Sequence, residues 1–177
     1  MTLEVQLEAV REGDLSPVEY RWDADTDILS ATLRTKSVGE GLTGSLDIEG
    51  ADGAWLMLEV MAGRLAAIEV AVWPDVRVVK ELTPPVPDGV ARLQVPGRTG
   101  TVGEEALEVD TAIRAVADEA ERTIHFRIGP QRPARAVRVA RDLLAEVDAR
   151  SQLSGLWFLN VPPFPKTKPA SPGKTRP

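Results

Sequence analysis

Apolar and polar residues alternate with period two along most of the first 130 residues, in short stretches separated by glycine, proline or aspartate. Successive side chains of a strand point to opposite faces, so this alternation commits a chain to half-buried strands joined by tight turns. Stretches 3–10, 18–22 and 28–33 show it, with Gly13-Asp14 breaking the first from the second and Asp23-Ala-Asp-Thr-Asp27 separating the second from the third. Aspartate accepts hydrogen bonds from nearby amides and tolerates turn geometry, so 18–33 is expected to be a hairpin with an acidic turn. Stretches 42–48, 54–61 and 65–72 continue the meander, the last two joined by Ala62-Gly63-Arg64. Pro84-Pro-Val-Pro87 has three residues without a backbone donor and must end the sheet or leave its edge, which sets a boundary between two halves.

The second half alternates again over 90–95, 107–116 and 122–128. Residues 18–33 laid on 113–128 place Asp23 on Asp118, Leu29 on Ile124 and Leu33 on Ile128, as a shared hairpin template does. After Gly129-Pro130 the spacing changes: Ala134, Val137, Ala140, Leu144 and Val147 fall at helical intervals behind Pro133, which predicts a helix over about 132–150. On that helix Arg132, Arg135, Arg138 and Arg141 form a basic stripe, expected to pair with acidic residues of the sheet or to hold an anion. The apolar run 153–159 reads as a last edge strand. Residues 151–177 then hold six prolines, four basic residues and no acid, so the chain from 161 to 177 is expected to be a disordered basic tail.

Composition limits the chemistry. No cysteine is present, which excludes disulfides, thiol catalysis and thiolate metal sites, and the only histidine is His125. Residues 1–130 carry 24 acidic against 12 basic side chains, whereas 131–177 carry 3 against 9. An acidic body repels nucleic acid and anionic membrane, so either could bind only through the C-terminal segment. No apolar run reaches the roughly 18 residues of a membrane span, and residues 1–10 lack the basic start of a secretion signal, so a cytoplasmic protein is expected.

Asp23, Asp25 and Asp27 begin like a calcium loop, but Ile28 and Arg34 stand where that loop needs glycine and glutamate; a turn explains the cluster better. His125 alternates away from Ile124, Phe126 and Ile128 and is expected to be solvent-facing and inert, since a general base needs an orienting partner. Gly39-Glu-Gly41 and the glycines of 97–103 lack the ending of a phosphate loop, and Gly173-Lys-Thr175 lacks its upstream glycine. Trp22, Trp55, Trp73 and Trp157 lie on acidic strands, which disfavours a nucleic-acid stacking platform and favours packing. Trp73, Trp157 and Phe158, with the four arginines of the stripe, are the candidate partner surface.

The segment Trp22-Asp23-Ala-Asp-Thr-Asp27-Ile-Leu29 resembles the opening hairpin of a family of short bacterial proteins of unknown function, whose signature is an aromatic-Asp, three residues, Asp, any residue and Leu. Gly63-Arg-Leu-Ala-Ala-Ile-Glu69-Val is similar to that family's later Gly-x-Leu-x-Gly-Ile-Glu strand, with Ala67 for the second glycine. The resemblance covers about residues 16–73 and implies a small sheet-rich fold without an assigned activity. From the residues alone, Glu69 is an exposed or salt-bridged strand side chain.

The expected fold is therefore mainly β, of the α+β class: two hairpin-rich antiparallel units, 1–83 and 88–160, separate or continuous, packed on the one helix, with the proline-rich tail trailing. The expected function is that of a non-enzymatic interaction protein of the bacterial cytosol, of accessory, immunity or adaptor type. Its partner is another protein bound through a sheet face or the tail, or a second copy at an exposed sheet edge. No cofactor is expected. Two other readings stand beside it: a carboxylate-based metal-binding protein or hydrolase on Asp23, Asp25 and Asp27, and weak nucleic-acid binding through the basic C-terminal segment.

Overall fold

The computed structural model describes residues 3–34, 41–96 and 107–165. Among these the chain forms two sheets. The first contains β1 (Gln6–Ala9), β2 (Val18–Asp23), β3 (Ile28–Leu33), β4 (Gly44–Glu49), β5 (Trp55–Met61), β6 (Arg64–Val72), β8 (Ala91–Gln94) and β9 (Leu107–Asp110). The second contains β7 (Val76–Val79), β10 (Ile113–Asp118), β11 (Ile124–Ile128), β12 (Ala134–Ala140), β13 (Leu143–Asp148) and β14 (Leu153–Phe158). The stretches 18–22, 28–33, 42–48, 54–61, 65–72, 90–95 and 122–128 become strands, whereas 107–116, expected as one strand, divides into β9 in the first sheet and β10 in the second, and 153–159, expected at an edge, is the inner strand β14. Sheet pairing is antiparallel except that β9 runs parallel to β4, and β7 parallel to β10, so the sheets are mixed rather than antiparallel throughout.

No helix spans 132–150. That segment is the hairpin β12–β13, closed by Arg141-Asp142, with a register shift between Arg138 and Ala140. The misleading signal has a physical cause: both faces of this hairpin carry buried apolar residues. Val137, Val139, Leu143, Ala145 and Val147 enter the common core, while Ala136 and Leu144 are buried on the other face. Apolar residues on both faces erase the period of two, and what remains at 137, 140, 144 and 147 coincides with helical spacing. Valines at 137, 139 and 147 also suit a pleated surface. The four arginines consequently form no helical stripe.

The hairpins β2–β3 and β10–β11 share one register, Val18 opposite Leu33 and Ile113 opposite Ile128, as the template alignment requires. The correspondence extends further than the sequence does. Strand order is β2-β3-β6-β5-β4 in one sheet and β10-β11-β14-β13-β12 in the other, every neighbouring pair antiparallel. The same five-stranded unit thus occurs twice.

The second sheet takes up the chain that leads into two strands of the first, β1 and β8. Residues before β1 reach the second sheet, where Val5 N–H donates to the Ser151 carbonyl (2.8 Å) and Leu153 N–H to the Leu3 carbonyl (2.9 Å). Residues before β8 do the same, with Asp88 N–H bonded to the Ala136 carbonyl and Arg138 N–H to that of Gly89 (both 2.9 Å). β8 itself returns to the first sheet beside β1 and β6. β7, which precedes the proline stretch, lies in the second sheet.

The inward faces of the two sheets meet in one hydrophobic cluster that includes Leu29, Ile48, Leu56 and Ile68 from the first and Phe126, Leu143, Leu156 and Phe158 from the second. Phe126 packs edge-on against Phe158 at 5.1 Å and against Trp73 at 5.6 Å, and Tyr20 lies 5.5 Å from Phe158. The Tyr20 hydroxyl donates to the Asp142 carbonyl and accepts the Leu159 N–H, so β2 is tied to both ends of the β13–β14 hairpin. Burial pushes its phenol well above the ordinary tyrosine range. The start of the tail expected to be disordered from 161 is packed on the fold: Val161 is buried and Trp22 Nε1 donates to the Pro162 carbonyl (2.8 Å). Residues 166–177 lie outside the described residues, as do the glycines of 97–103 and Gly39. No helix among the described residues is long and apolar enough to cross a membrane.

Replacing Tyr20 by Phe removes both hydrogen bonds of the hydroxyl, although the Leu159 N–H keeps the Asp142 carbonyl as acceptor at 2.9 Å, and should cost about 1–1.5 kcal/mol. Thermal melting should show a Tm lower by roughly 3–6 °C. An unchanged Tm would mean that the hydroxyl does not join the two sheets energetically.

Candidate functional site

Strand neighbours bring together two groupings that are distant in sequence. On the outer face of the second sheet, His125 of β11 stands opposite Trp157 of β14, and Glu146 of β13 stands opposite Gly155. His125 Nε2 lies 3.1 Å from Glu146 Oε2, Trp157 Nε1 donates to Glu146 Oε1 at 2.8 Å, and the imidazole stacks on the indole at 4.2 Å. Alternation placed His125 on the correct face, yet its side chain is only 18% exposed and Glu146 20%, so it is half-buried and oriented rather than free. Trp157 is 6% exposed. Sequence reasoning missed Glu146 and Trp157 as its partners because only the β11–β14–β13 register makes them neighbours.

Gly155 makes this approach possible. A Cβ there would sit 2.3 Å from Glu146 Oε2, 3.0 Å from His125 Nε2 and 3.1 Å from the Phe126 carbonyl. Burial pushes the Glu146 carboxyl up, but the hydrogen bonds from His125 and Trp157 and the charge of His125 outweigh it, and the net shift is downward. Among the described residues no hydroxyl is hydrogen-bonded to the imidazole, so the pair holds geometry without a nucleophile to activate.

The second grouping lies at the seam of the two sheets. Trp22 and Trp73 stack at 5.6 Å, and Phe164 meets Trp22 edge-on at 5.1 Å. Trp73 Nε1 donates to the Asp27 carbonyl at 2.7 Å, anchoring the β2–β3 turn. With Val76 and Val78 of β7 these rings wall a concavity of about 300 Å³, floored by Ala117 and Ile124 and rimmed by Asp27 and Glu121. Val76 is 37% exposed and Val78 55%, although both share the inward-facing side of the sheet with Ala115 and Ala117. β7 ends its sheet, with no strand on its other edge among the described residues. Trp73 alone of the aromatic candidates read from sequence is found here.

The remaining candidates take structural places. Phe158 is fully buried in the core. Arg132 pairs with Asp148 at 2.6 Å and donates to the Ile128, Pro130 and Leu153 carbonyls, locking the chain around the β13–β14 turn. Arg138 donates to the Arg141 carbonyl, and Arg135 is exposed on β12. Asp23 accepts the Asp25 amide at 3.0 Å, which helps to hold its carboxyl below the ordinary range, and Asp27 occupies the left-handed region at φ 58°. The three aspartates are a turn. Among the described residues no group of three histidine or acidic side chains is placed to hold a metal ion.

No protein-family model matches the chain, and no curated protein matches it.

Gly155→Ala should displace Glu146 and destabilise the protein by roughly 1–3 kcal/mol in urea denaturation, through loss of buried hydrogen bonds; an effect below 0.5 kcal/mol, roughly the scatter of surface substitutions, would remove the significance of this contact. A carboxyl held below its unfolded value contributes stability above that value and loses it as pH falls through the folded value. Glu146 has an ordinary value of 4.5, so wild-type Tm should fall more steeply from pH 5 downwards than that of Glu146→Gln. Parallel curves for the two proteins would contradict this account.

Proposed function

We propose that this protein is a non-enzymatic protein-interaction module that docks another protein at the seam concavity beside β7. One observation carries the reading: two valines on the core-facing side of an edge strand are left exposed, beside an aromatic wall that the described residues only partly cover. Apolar side chains in solvent on the inward face of a sheet are unfavourable for an isolated molecule by roughly 25 cal/mol per Å², and a partner that covers them recovers that energy. The edge of β7, which pairs with no strand among the described residues, adds backbone groups to the same place. The concavity also has the usual composition of a recognition site, apolar walls with a few polar groups at the rim.

Val78→Glu introduces a charge at an exposed position, so stability should stay within about 0.5 kcal/mol of wild type. Immobilised full-length protein should retain a specific partner from its native lysate that the Val78→Glu protein retains at least tenfold less. Equal retention by both, or no specific partner on wild type, would sink the proposal.

A further inference from the structure

The concavity already receives one proline-rich segment, and it is the chain's own. Residues 161–165 read Val-Pro-Pro-Phe-Pro, and they cross Trp22 so that the indole N–H donates to the Pro162 carbonyl while Phe164 meets the ring edge-on. An indole that stacks against an apolar side chain and donates to the carbonyl of an extended proline segment is the chemistry by which aromatic grooves read polyproline helices. Among the described residues the groove continues open beyond Phe164, lined by Trp73, Val76 and Val78 and by Asp27 and Glu121.

We infer that the occupant of this open portion is a proline-rich segment of a partner protein that carries lysine or arginine; this rests on the docking reading above. Three features select it. The walls are indole faces and valine methyls, against which pyrrolidine rings pack. The wall side chains are apolar and offer no acceptor to a backbone N–H, and the Asp27 carbonyl beside them already accepts from Trp73. An incoming segment that buries backbone N–H groups there would leave them unsatisfied, whereas proline has none to bury. The rim is acidic: Asp27 and Glu121 are both exposed, and neither forms an ion pair among the described residues, so a basic side chain of the segment completes the charge. A strand adding to the edge of β7 is the competing occupant; it would use the ladder groups of β7 and leave the aromatic wall and the two carboxylates unused.

The full-length protein, labelled with nitrogen-15, is titrated with three synthetic peptides: Pro-Pro-Leu-Pro-Lys-Pro-Arg, the same peptide with both basic residues replaced by glutamate, and the strand former Val-Thr-Val-Thr-Val-Thr. The basic peptide should bind saturably, shifting the indole N–H signals of Trp22 and Trp73, and the acidic version should bind at least tenfold more weakly. Asp27→Asn with Glu121→Gln removes both charges while keeping residues of similar shape at these two left-handed positions, and should weaken the basic peptide about fivefold to tenfold, as the loss of two exposed ion pairs implies. Equal binding of both proline peptides, indifference to the double substitution, preference for the strand former, or no indole shift at millimolar peptide would each overturn the inference. A lysate partner lost in Val78→Glu would still uphold the docking reading in every one of those cases, so the two fail separately.

Discussion

The aromatic contacts of Phe126 with Trp73 and of Phe158 with Tyr20 join the second sheet to the first within their shared core. Phe126 and Phe158 are wholly buried, and each contributes about 2–3 kcal/mol of transfer free energy when removed from water. Tyr20 extends the same seam, bringing an aromatic ring to the core and a hydroxyl to the Asp142 carbonyl and the Leu159 N–H, which also bond each other at 2.9 Å. The seam runs outward from there. Trp73 touches Phe126 on one side and Trp22 on the other, so the wall of the surface concavity is the outer end of the core's own aromatic chain. The wall of the concavity is therefore held in place by the same packing that holds the fold.

Two copies of one five-stranded unit supply the frame, and they differ where the frame does not constrain them. Ser30 and Glu69 occupy in the first unit the cross-strand positions of His125 and Trp157 in the second, and Ala67 and Glu59 those of Gly155 and Glu146. Ser30 Oγ donates to Glu69 at 3.4 Å, a weaker link than the stacked and doubly hydrogen-bonded cluster on the other unit. Inward positions stay apolar in both because each must fill the shared core, whereas outward positions are free to diverge. Segments 3–5 and 88–90, which lead into β1 and β8 of the first sheet, dock beside β14 and β12 of the second and tie the pair into a single body.

Much of this was legible from residues. The β2–β3 and β10–β11 hairpins follow from alternation and from Asp23 and Asp118, whose side chains accept turn amides in the folded protein. Alternation also put His125 on the outer face. The helix expected over 132–150 failed because a strand buried on both faces carries no period of two, and local pattern cannot separate that case from an amphipathic helix. The arginine stripe failed with it, since spacing by three is a surface only on a helix. The two parallel pairings, β4 with β9 and β7 with β10, join segments that no local signal connects.

The sequence by itself determined that this chain is a β protein without cysteine chemistry, with an acidic turn at 23–27 and with strands whose boundaries fall at glycine, proline and aspartate. Those properties depend on side-chain period and turn preference, which act over a few residues. Only the tertiary structure decided which strands are neighbours, and therefore that His125 meets Glu146 and Trp157, that Phe158 is buried, and that Trp22, Trp73, Val76, Val78 and Phe164 share one groove. Register and sheet packing are set by the total burial of two units at once, and no short stretch of sequence contains that quantity.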